Sequence, residues 1–461
     1  MEQDPRYISL LILTENSRTR RPLDTILDQF TPQLDTLSKL DRSLANAIIY
    51  GTLRWQGYLD WIIRPFSDRK IENLKTEIIY ILRIAMFQIA FMDRIPVSAA
   101  VNTAVNSAKR ISHQGVAGFV NAVLRKASAG FRDVQFPDAV KEPDLNISVT
   151  RSMPLWVVRR WIDRFGFDKT LTLCDTINSV PPVTIRTNTL KAERDALISG
   201  LDPCVDHIIA TRYSPTGISF TKLSMPIHES RQFIDGCFQV QDEAAQLVTM
   251  MLDPLPGQKI LDACAGLGGK TGHAAQLMNN QGIIVACDTD PHKLASLEKE
   301  MIRLGVDIVQ TMCIDILKVD SNDFSCINQD ADGSGILFDR VLVDAPCSGM
   351  GVIRRNPDAK WKRTKKDLAR LGIRQEKMLL SVADLVKTGG TLLYAVCSCE
   401  TRENEDVVEN FLKQRPDFTV HKPAVEHNPV LKRALTEKGY FRTYPDHIEM
   451  DGFFAVTMQR Q

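Results

Sequence analysis

The run Lys259-Ile260-Leu261-Asp262-Ala263-Cys264-Ala265-Gly266-Leu267-Gly268-Gly269-Lys270-Thr271 starts as a short apolar strand, crosses a glycine-rich turn and continues into a helical stretch. Strand, glycine loop and helix in that order open a parallel α/β unit, because a parallel neighbour is reached only by a crossover connection. The glycines permit positive φ and a close approach of backbone to a ligand. The spacing is neither the dinucleotide fingerprint nor a Walker A loop, which would need Gly where Cys264 stands. A plain tight turn is the competing reading.

Downstream, β and α patterns alternate. Strand candidates are Lys259 to Asp262, Gly282 to Asp288, Asp307 to Cys313, Phe338 to Asp344 and Gly390 to Cys397, with helical stretches between most of them. This predicts a doubly wound parallel sheet that binds its ligand at the carboxyl ends of its strands. Ser321 to Gly335 reads as a surface loop before the fourth strand. Asp288 ends the second strand twenty residues after Gly268, where an acid can accept hydrogen bonds from ribose hydroxyls. Asp315 follows the third strand. Each acid alone is as readily a helix cap. Together they suggest a nucleoside site, and the sulfonium of S-adenosylmethionine (SAM) suits carboxylates better than the pyrophosphate of NAD does.

The fourth strand runs into Asp344-Ala345-Pro346-Cys347-Ser348-Gly349-Met350-Gly351, and the fifth into Val396-Cys397-Ser398-Cys399-Glu400. Two thiols one residue apart share a strand face if the strand reaches them; ligands, a disulfide, packing and a nucleophile are all open on spacing alone. Neighbouring fourth and fifth strands bring Asp344, Cys347 and Cys397 together. A thiol and an acid fit one demanding reaction, methylation at carbon 5 of cytosine. That carbon becomes nucleophilic only after a thiolate adds to carbon 6 while an acid contacts the ring nitrogen. The attacking thiol needs activation, since a free thiol has a pKa of about 8.5.

Upstream of residue 259 the character differs. Residues 7 to 130 follow a helical period without strand signals. Ile78 to Met92, interrupted by Arg83 and Gln88, reads as a core helix too short for a bilayer. Val101 to Arg132 carries Lys109, Arg110, Arg125, Lys126 and Arg132 and no acid, a net +5 that is either a solvated face or a footprint for phosphates. Phe136 to Ile147 reads as a linker, Pro154 to Trp161 as a short helix. Strands at Val183 to Arg186 and Gly217 to Phe220 flank a helix at Lys191 to Leu201, an α+β module.

The whole chain of 461 residues has 57 Lys plus Arg against 56 Asp plus Glu, so net charge is silent about partners. Ten cysteines without CxxC or zinc spacing argue against a disulfide scaffold and against a metal site. No secretory signal is legible at the start, and free thiols suit a reducing cytoplasm. Arg354 to Arg374 holds nine basic and two acidic residues, a net +7 with Trp361 inside it, which reads as an RNA grip or a solvated helix face.

The motifs Asp262 to Thr271, Asp344 to Gly351, Arg355 to Trp361 and Leu393 to Ser398 resemble those of RNA cytosine-5 methyltransferases. Asn121 to Arg125 within the helical region is similar to a NusB-like RNA-binding domain. Together they resemble the RsmB (Sun/Fmu) family of 16S ribosomal RNA methyltransferases over nearly the whole chain. The resemblance implies an all-α NusB-like domain (1–138), a small α+β RNA-binding or linker module (139–235) and a Rossmann-like SAM-dependent methyltransferase domain (236–461). It implies Cys397 as nucleophile, Cys347 in product release, Asp344 at the ring nitrogen and Lys270 beside them. SAM is expected on Cys264, Ala265, Gly266, Leu267, Gly268, Gly269, Lys270, Asp288, Asp315 and Asp344. Leu267 and Val396 depart from the family pattern, and Cys399 has no counterpart in it. Arg186 and Asn188 match a family motif whose role is open between function and a structural turn. The expected partner is small-subunit ribosomal RNA, bound by a monomer away from membranes. The alternatives are a tRNA cytosine-5 methyltransferase and a catalytically inactive RNA-binding, antitermination-like factor.

Overall fold

The structure, a computed structural model, describes residues 4–223, 225–319, 321–324, 337–422, 431, 434–446 and 450–461. It divides into two compact units, Met1–Val180 with Ile353–Arg363, and Pro181–Val352 with Thr364–Gln461.

The first unit is helical. Pro5–Arg18, Lys39–Arg54, Gln56–Ile63, Thr76–Phe91, Val97–Ile111 and Gln114–Gly130 surround a core that includes Ile12, Leu13, Ile48, Ile62, Met86 and Val120. Local chemistry starts the helices where they start. Pro5 needs no hydrogen bond at the first position, and Asp4 accepts from the Arg6 N–H; Ser38 accepts from the Asp41 N–H in the same way. Thr76–Phe91 is the expected core helix, and both polar interruptions are satisfied. Arg83 forks onto Asp60 through two hydrogen bonds of 2.7 Å. Gln88 donates to the Ile84 carbonyl at 3.0 Å and accepts from Arg6 at 2.7 Å. Asp60→Ala strands the buried Arg83 guanidinium, so chemical denaturation is expected to show a loss of about 3 kcal/mol; an unchanged midpoint would remove this ion pair from the account. Among the described residues no helix is long and apolar enough to cross a membrane.

Three further helices, Pro143–Thr150, Leu155–Phe165 and Phe167–Asn178, belong to this unit. The stretch read as a linker is therefore half helix, begun by Pro143 at its first position. Residues Ile353–Arg363 also belong here, which corrects the reading of Arg354 to Arg374 as one continuous RNA grip. Lys360 is fully buried, its ammonium 2.8 Å from the Arg54 carbonyl, and burial pulls its pKa down to about 7. The Trp361 indole donates to the Leu53 carbonyl at 2.7 Å, and Lys362 reaches Asn16 at 2.6 Å and Asp358 at 3.1 Å. These groups complete helix ends and core. Charge counting cannot tell a lysine bound for solvent from one bound for a buried carbonyl.

The second unit contains two sheets. The strands of the smaller are β1 (Val183–Thr187), β2 (Val205–Ala210), β3 (Gly217–Leu223) and β4 (Phe238–Val240), all antiparallel in the order β2-β3-β1-β4. With the helix Arg194–Leu201 they enclose Ile185, Leu197, Ile218, Phe220 and Phe238. This is the expected α+β module with β2 and β4 added.

The larger sheet comprises β5 (Lys259–Asp262), β6 (Ile283–Asp288), β7 (Val309–Cys313), β8 (Phe338–Asp344), β9 (Val386–Val396), β10 (Phe418–Val420), β11 (Phe441–Arg442) and β12 (Phe454–Arg460). Its order is β10-β12-β9-β8-β5-β6-β7, with β11 on β12. All five expected strands are present and run parallel. The sheet is mixed rather than wholly parallel, because β12 lies antiparallel to β9 and to β10. Chain order reverses between β5 and β8, which opens the ligand crevice at the carboxyl ends of those strands. Of the loop expected before β8, residues 325–335 lie outside the described residues.

Candidate active site

Strand β5 ends in Asp262, which turns inward. Its carboxylate accepts from the Thr271 hydroxyl at 2.7 Å, and burial pushes its pKa up to about 6. That bond pins the glycine loop to the helix Gly269–Leu277. Gly266 and Gly268 adopt positive φ, +56° and +84°, and a side chain on Gly268 would lie 2.7 Å from Leu297. Space around Gly266 is open, so the loop presents bare backbone to the crevice. Leu267, the departure from the family pattern, is 63% exposed at the tip.

Asp288, at the end of β6, accepts the Gly266 N–H at 3.1 Å and the Asp290 N–H at 2.9 Å, one on each oxygen. Each oxygen keeps a free lone pair. Asp315 accepts the Leu317 N–H at 3.2 Å with one oxygen, so it does cap a helical turn, and its other oxygen is available. Bare loop backbone flanked by two carboxylate acceptors suits a nucleoside with ribose hydroxyls and an amino group, and it offers no cradle for a pyrophosphate. The donor set therefore fits SAM. Cys264 packs beside these acids; burial first, then the charges of Asp262, Asp344 and Asp288, push its thiol well above the usual range, which disfavours a thiolate there.

Lys270, in the first turn of the helix Gly269–Leu277, lies 2.5 Å from Asp344 at the end of β8. Burial acts to lower the Lys270 pKa, but Asp344, Cys397 and Asp262 raise it on balance, so it stays an ammonium. Its Nζ also stands 5.3 Å from the Phe453 ring centroid. Cys347 and Cys397, from the loops after β8 and β9, place their sulfurs 3.2 Å apart as free thiols. The hydrogen bond to Cys397, burial, and the charges of Cys397 and Glu403 hold the Cys347 thiol well above its usual range.

Strand β9 stops at Val396, before the two thiols, so Cys397 and Cys399 do not share a strand face. Cys399 is buried, 2.7 Å from where a side chain on Gly452 would begin. The loops are tied instead by polar groups. The Gly351 N–H donates to the Cys397 carbonyl at 3.0 Å. Glu403 accepts from Ser348 and Ser398, the residues that follow the two cysteines. Tyr394 on β9 donates from beneath to the Glu403 carbonyl at 2.5 Å.

Arg186 and Asn188 are wholly buried. Arg186 donates to the Gly269 carbonyl at 3.0 Å, to Gln276 at 3.0 Å and to Gln239 at 2.8 Å. It joins the small sheet to the helix that carries Lys270, while Asn188 holds a structural turn, its side-chain oxygen accepting the Leu190 N–H at 3.1 Å and its carbonyl the Lys191 N–H at 3.0 Å. Burial pulls the Arg186 pKa down to about 9.

Sequence reasoning named the two thiols, Lys270 and the acids that meet here, but not the ion pair between Lys270 and Asp344. It missed Glu403 and with it the roles of Gln375 and the two serines. A serine directly after each cysteine was the one signal available.

Residues 249–459 match the family model described as 16S rRNA methyltransferase RsmB/F. Residues 3–129 match the NusB family, and residues 153–227 the ferredoxin-like domain of RsmF/B-like methyltransferases. The chain is 34% identical to the probable ribosomal RNA small subunit methyltransferase B of Bacillus subtilis (strain 168), covering 92% of each chain. It is 31% identical to the protein of the same description from Synechocystis sp., covering 99% of each. A solved structure described as PH0851 superposes with a TM-score of 0.80 at 25% identity over 99% of both chains. A methyltransferase homolog from Pyrococcus horikoshii superposes with a TM-score of 0.57 at 26% identity, covering 69% of this chain and 99% of that one.

Proposed function

The chain belongs to the RsmB/F family of 16S rRNA methyltransferases, and from that premise we propose that it methylates carbon 5 of a cytidine in small-subunit ribosomal RNA through a covalent adduct with Cys397. The observation that carries the reading is the pair of sulfurs 3.2 Å apart next to the Lys270–Asp344 ion pair. SAM is the methyl donor, and when bound it supplies an electrophilic methyl group at the crevice.

The chain's own residues do the rest. The Cys397 thiolate adds to carbon 6 of the target ring, which converts carbon 5 into an enamine-like nucleophile. Asp344, held in place by Lys270, accepts from the exocyclic amino group or contacts the ring nitrogen, and the Lys270 ammonium compensates charge pushed into the ring. After carbon 5 has been methylated, its proton passes to water and the electron pair of that C–H bond re-forms the ring double bond, which breaks the Cys397–carbon 6 bond. Cys347, the neighbouring protonated thiol, donates to the departing sulfur. Asp288, Asp315 and the backbone of residues 264–270 hold the nucleoside half of the donor.

We assign the chemistry to residues 236–461 and RNA contacts to residues 1–138 and 139–235, in a monomer working in the cytoplasm. Lys109, Arg110, Arg125, Lys126 and Arg132 are all exposed, which supports a phosphate footprint there. The helix Lys365–Ala383 exposes Lys366, Arg370, Arg374 and Lys377 at helical spacing along one face. Replacing Lys366, Arg374 and Lys377 by Ala is expected to weaken RNA binding and to flatten the plot of log K against log salt by about 0.7 per lost contact. An unaltered slope would leave that face solvated and nothing more.

The deciding experiment is incubation with labelled SAM and 16S ribosomal RNA, followed by bisulfite mapping. 5-Methylcytosine at one position is expected. Label on another base, or on transfer RNA alone, rejects the reading.

A further inference from the structure

Both cysteine loops converge on a single carboxylate. Glu403 is 0% exposed, and its hydrogen-bond partners are all neutral donors. One oxygen accepts the Ser348 backbone N–H at 2.8 Å and the Gln375 amide at 3.2 Å. The other accepts the Ser348 hydroxyl at 2.5 Å and the Ser398 hydroxyl at 2.6 Å. The serine oxygens in turn accept the backbone N–H groups of Met350 at 3.4 Å and Glu400 at 3.2 Å and lie 3.2 Å from each other. Gln375 is fixed from behind, donating to the Pro346 carbonyl at 3.0 Å while its own oxygen shares the Tyr394 hydroxyl proton, at 3.1 Å, with the Glu403 carbonyl.

Two fixed donors on one oxygen and two hydroxyls on the other favour the carboxylate. A neutral carboxyl would aim its O–H at a serine oxygen and give up one of the two hydroxyl bonds, whereas the anion accepts all four. Burial pushes the carboxyl above its usual range, and the bonds from Ser348 and Ser398 pull it back. Among the described residues no cation is paired with Glu403; a buried anion held by neutral donors alone is costly, and such groups concentrate at functional sites. The clamp is also lopsided. Two of its bonds go to the residue after Cys347 and one to the residue after Cys397.

We propose that Glu403 is a positioning residue that sets the division of labour between the thiols: it clamps the two loops so that the sulfurs meet, and its charge biases the shared proton toward Cys347, leaving Cys397 to attack. The consequence for catalysis rests on the proposed cysteine chemistry. Its direct readout does not.

The test is alkylation of the full-length protein by iodoacetamide, without RNA or SAM, with initial rates at each cysteine read by mass spectrometry across about pH 6 to 10. In the unmodified sequence Cys397 is expected to label first and Cys347 to resist. Glu403→Gln keeps the shape but removes the charge and sets an amide N–H₂ against two donors. Labelling of Cys347 is then expected to begin at lower pH and the Cys397 to Cys347 rate ratio to fall by about tenfold, as a shift of one pKa unit would give. In the methylation assay kcat falls while KM for SAM stays put. A folded Glu403→Gln protein with the original ratio and pH profile overturns the proposal. Should that variant fail to fold, Glu403→Asp decides: it keeps the charge, so Cys347 is expected to stay protected while kcat drops, and equal labelling of the two thiols would overturn the idea. If the unmodified protein made no 5-methylcytosine, the proposed function would fall, and the labelling result would still stand or fall separately.

Discussion

Cys397→Ala is expected to reduce methyl transfer to RNA by about 10⁴-fold or more, to the background of the assay. The size follows from the chemistry. Without a sulfur to add at carbon 6, carbon 5 of cytosine is not a nucleophile, and no amount of binding or orientation substitutes for the missing bond. RNA and SAM binding should survive, because Cys397 sits in a loop held by the Gly351 N–H and by the Glu403 cluster, neither of which uses the Cys397 side chain. SAM binding by calorimetry together with label incorporation checks both halves. Full activity in this variant would transfer the nucleophile's role elsewhere, with Cys347 the first suspect.

Cys347→Ala should behave differently, and the contrast is informative. The nucleophile remains, so addition and methylation proceed, but the donor 3.2 Å from the leaving sulfur is gone. A covalent protein–RNA complex that survives denaturing electrophoresis is expected to accumulate, with turnover down by about 10²-fold or more, the scale of a lost general acid. Combining Cys347→Ala with Cys397→Ala should abolish the complex, which identifies the bonded sulfur. Clean turnover by the single variant would remove Cys347 from product release.

The parts of this fold that could be read from sequence are those with local causes. Lys259–Asp262 and Phe338–Asp344 were found to the residue because each is a short apolar strand ended by an acid. The helix Thr76–Phe91 was legible from its period. Strands β10, β11 and β12 were not. Phe454–Arg460 is buried through its first five residues and so shows no alternation, and its pairing with β9 is antiparallel without a helical crossover to announce it. The same holds at the site. Cys347, Cys397, Asp344 and Lys270 stand at strand ends or loop starts, where chemistry is expected. Glu403 draws its bonds from partners 5, 28 and 55 residues away, and nothing local marks it. Lys360 and Trp361 misled for the same reason, since the carbonyls that capture them lie 306 and 308 residues earlier.

That last separation bears on how the protein is made. Most domains fold as their own stretch of chain leaves the ribosome. The helical unit cannot finish on that schedule, because its last segment, Ile353–Arg363, follows Val180 only after the intervening chain has been synthesised. At bacterial-like elongation rates of about 5–20 residues per second the wait is on the order of ten to forty seconds. During it, the surfaces that will receive Lys360 and Trp361 stand open to chaperones. Completion of the amino-terminal unit therefore reports that the loop carrying Cys347 has already emerged, and a chain truncated before residue 353 is marked as defective in both halves.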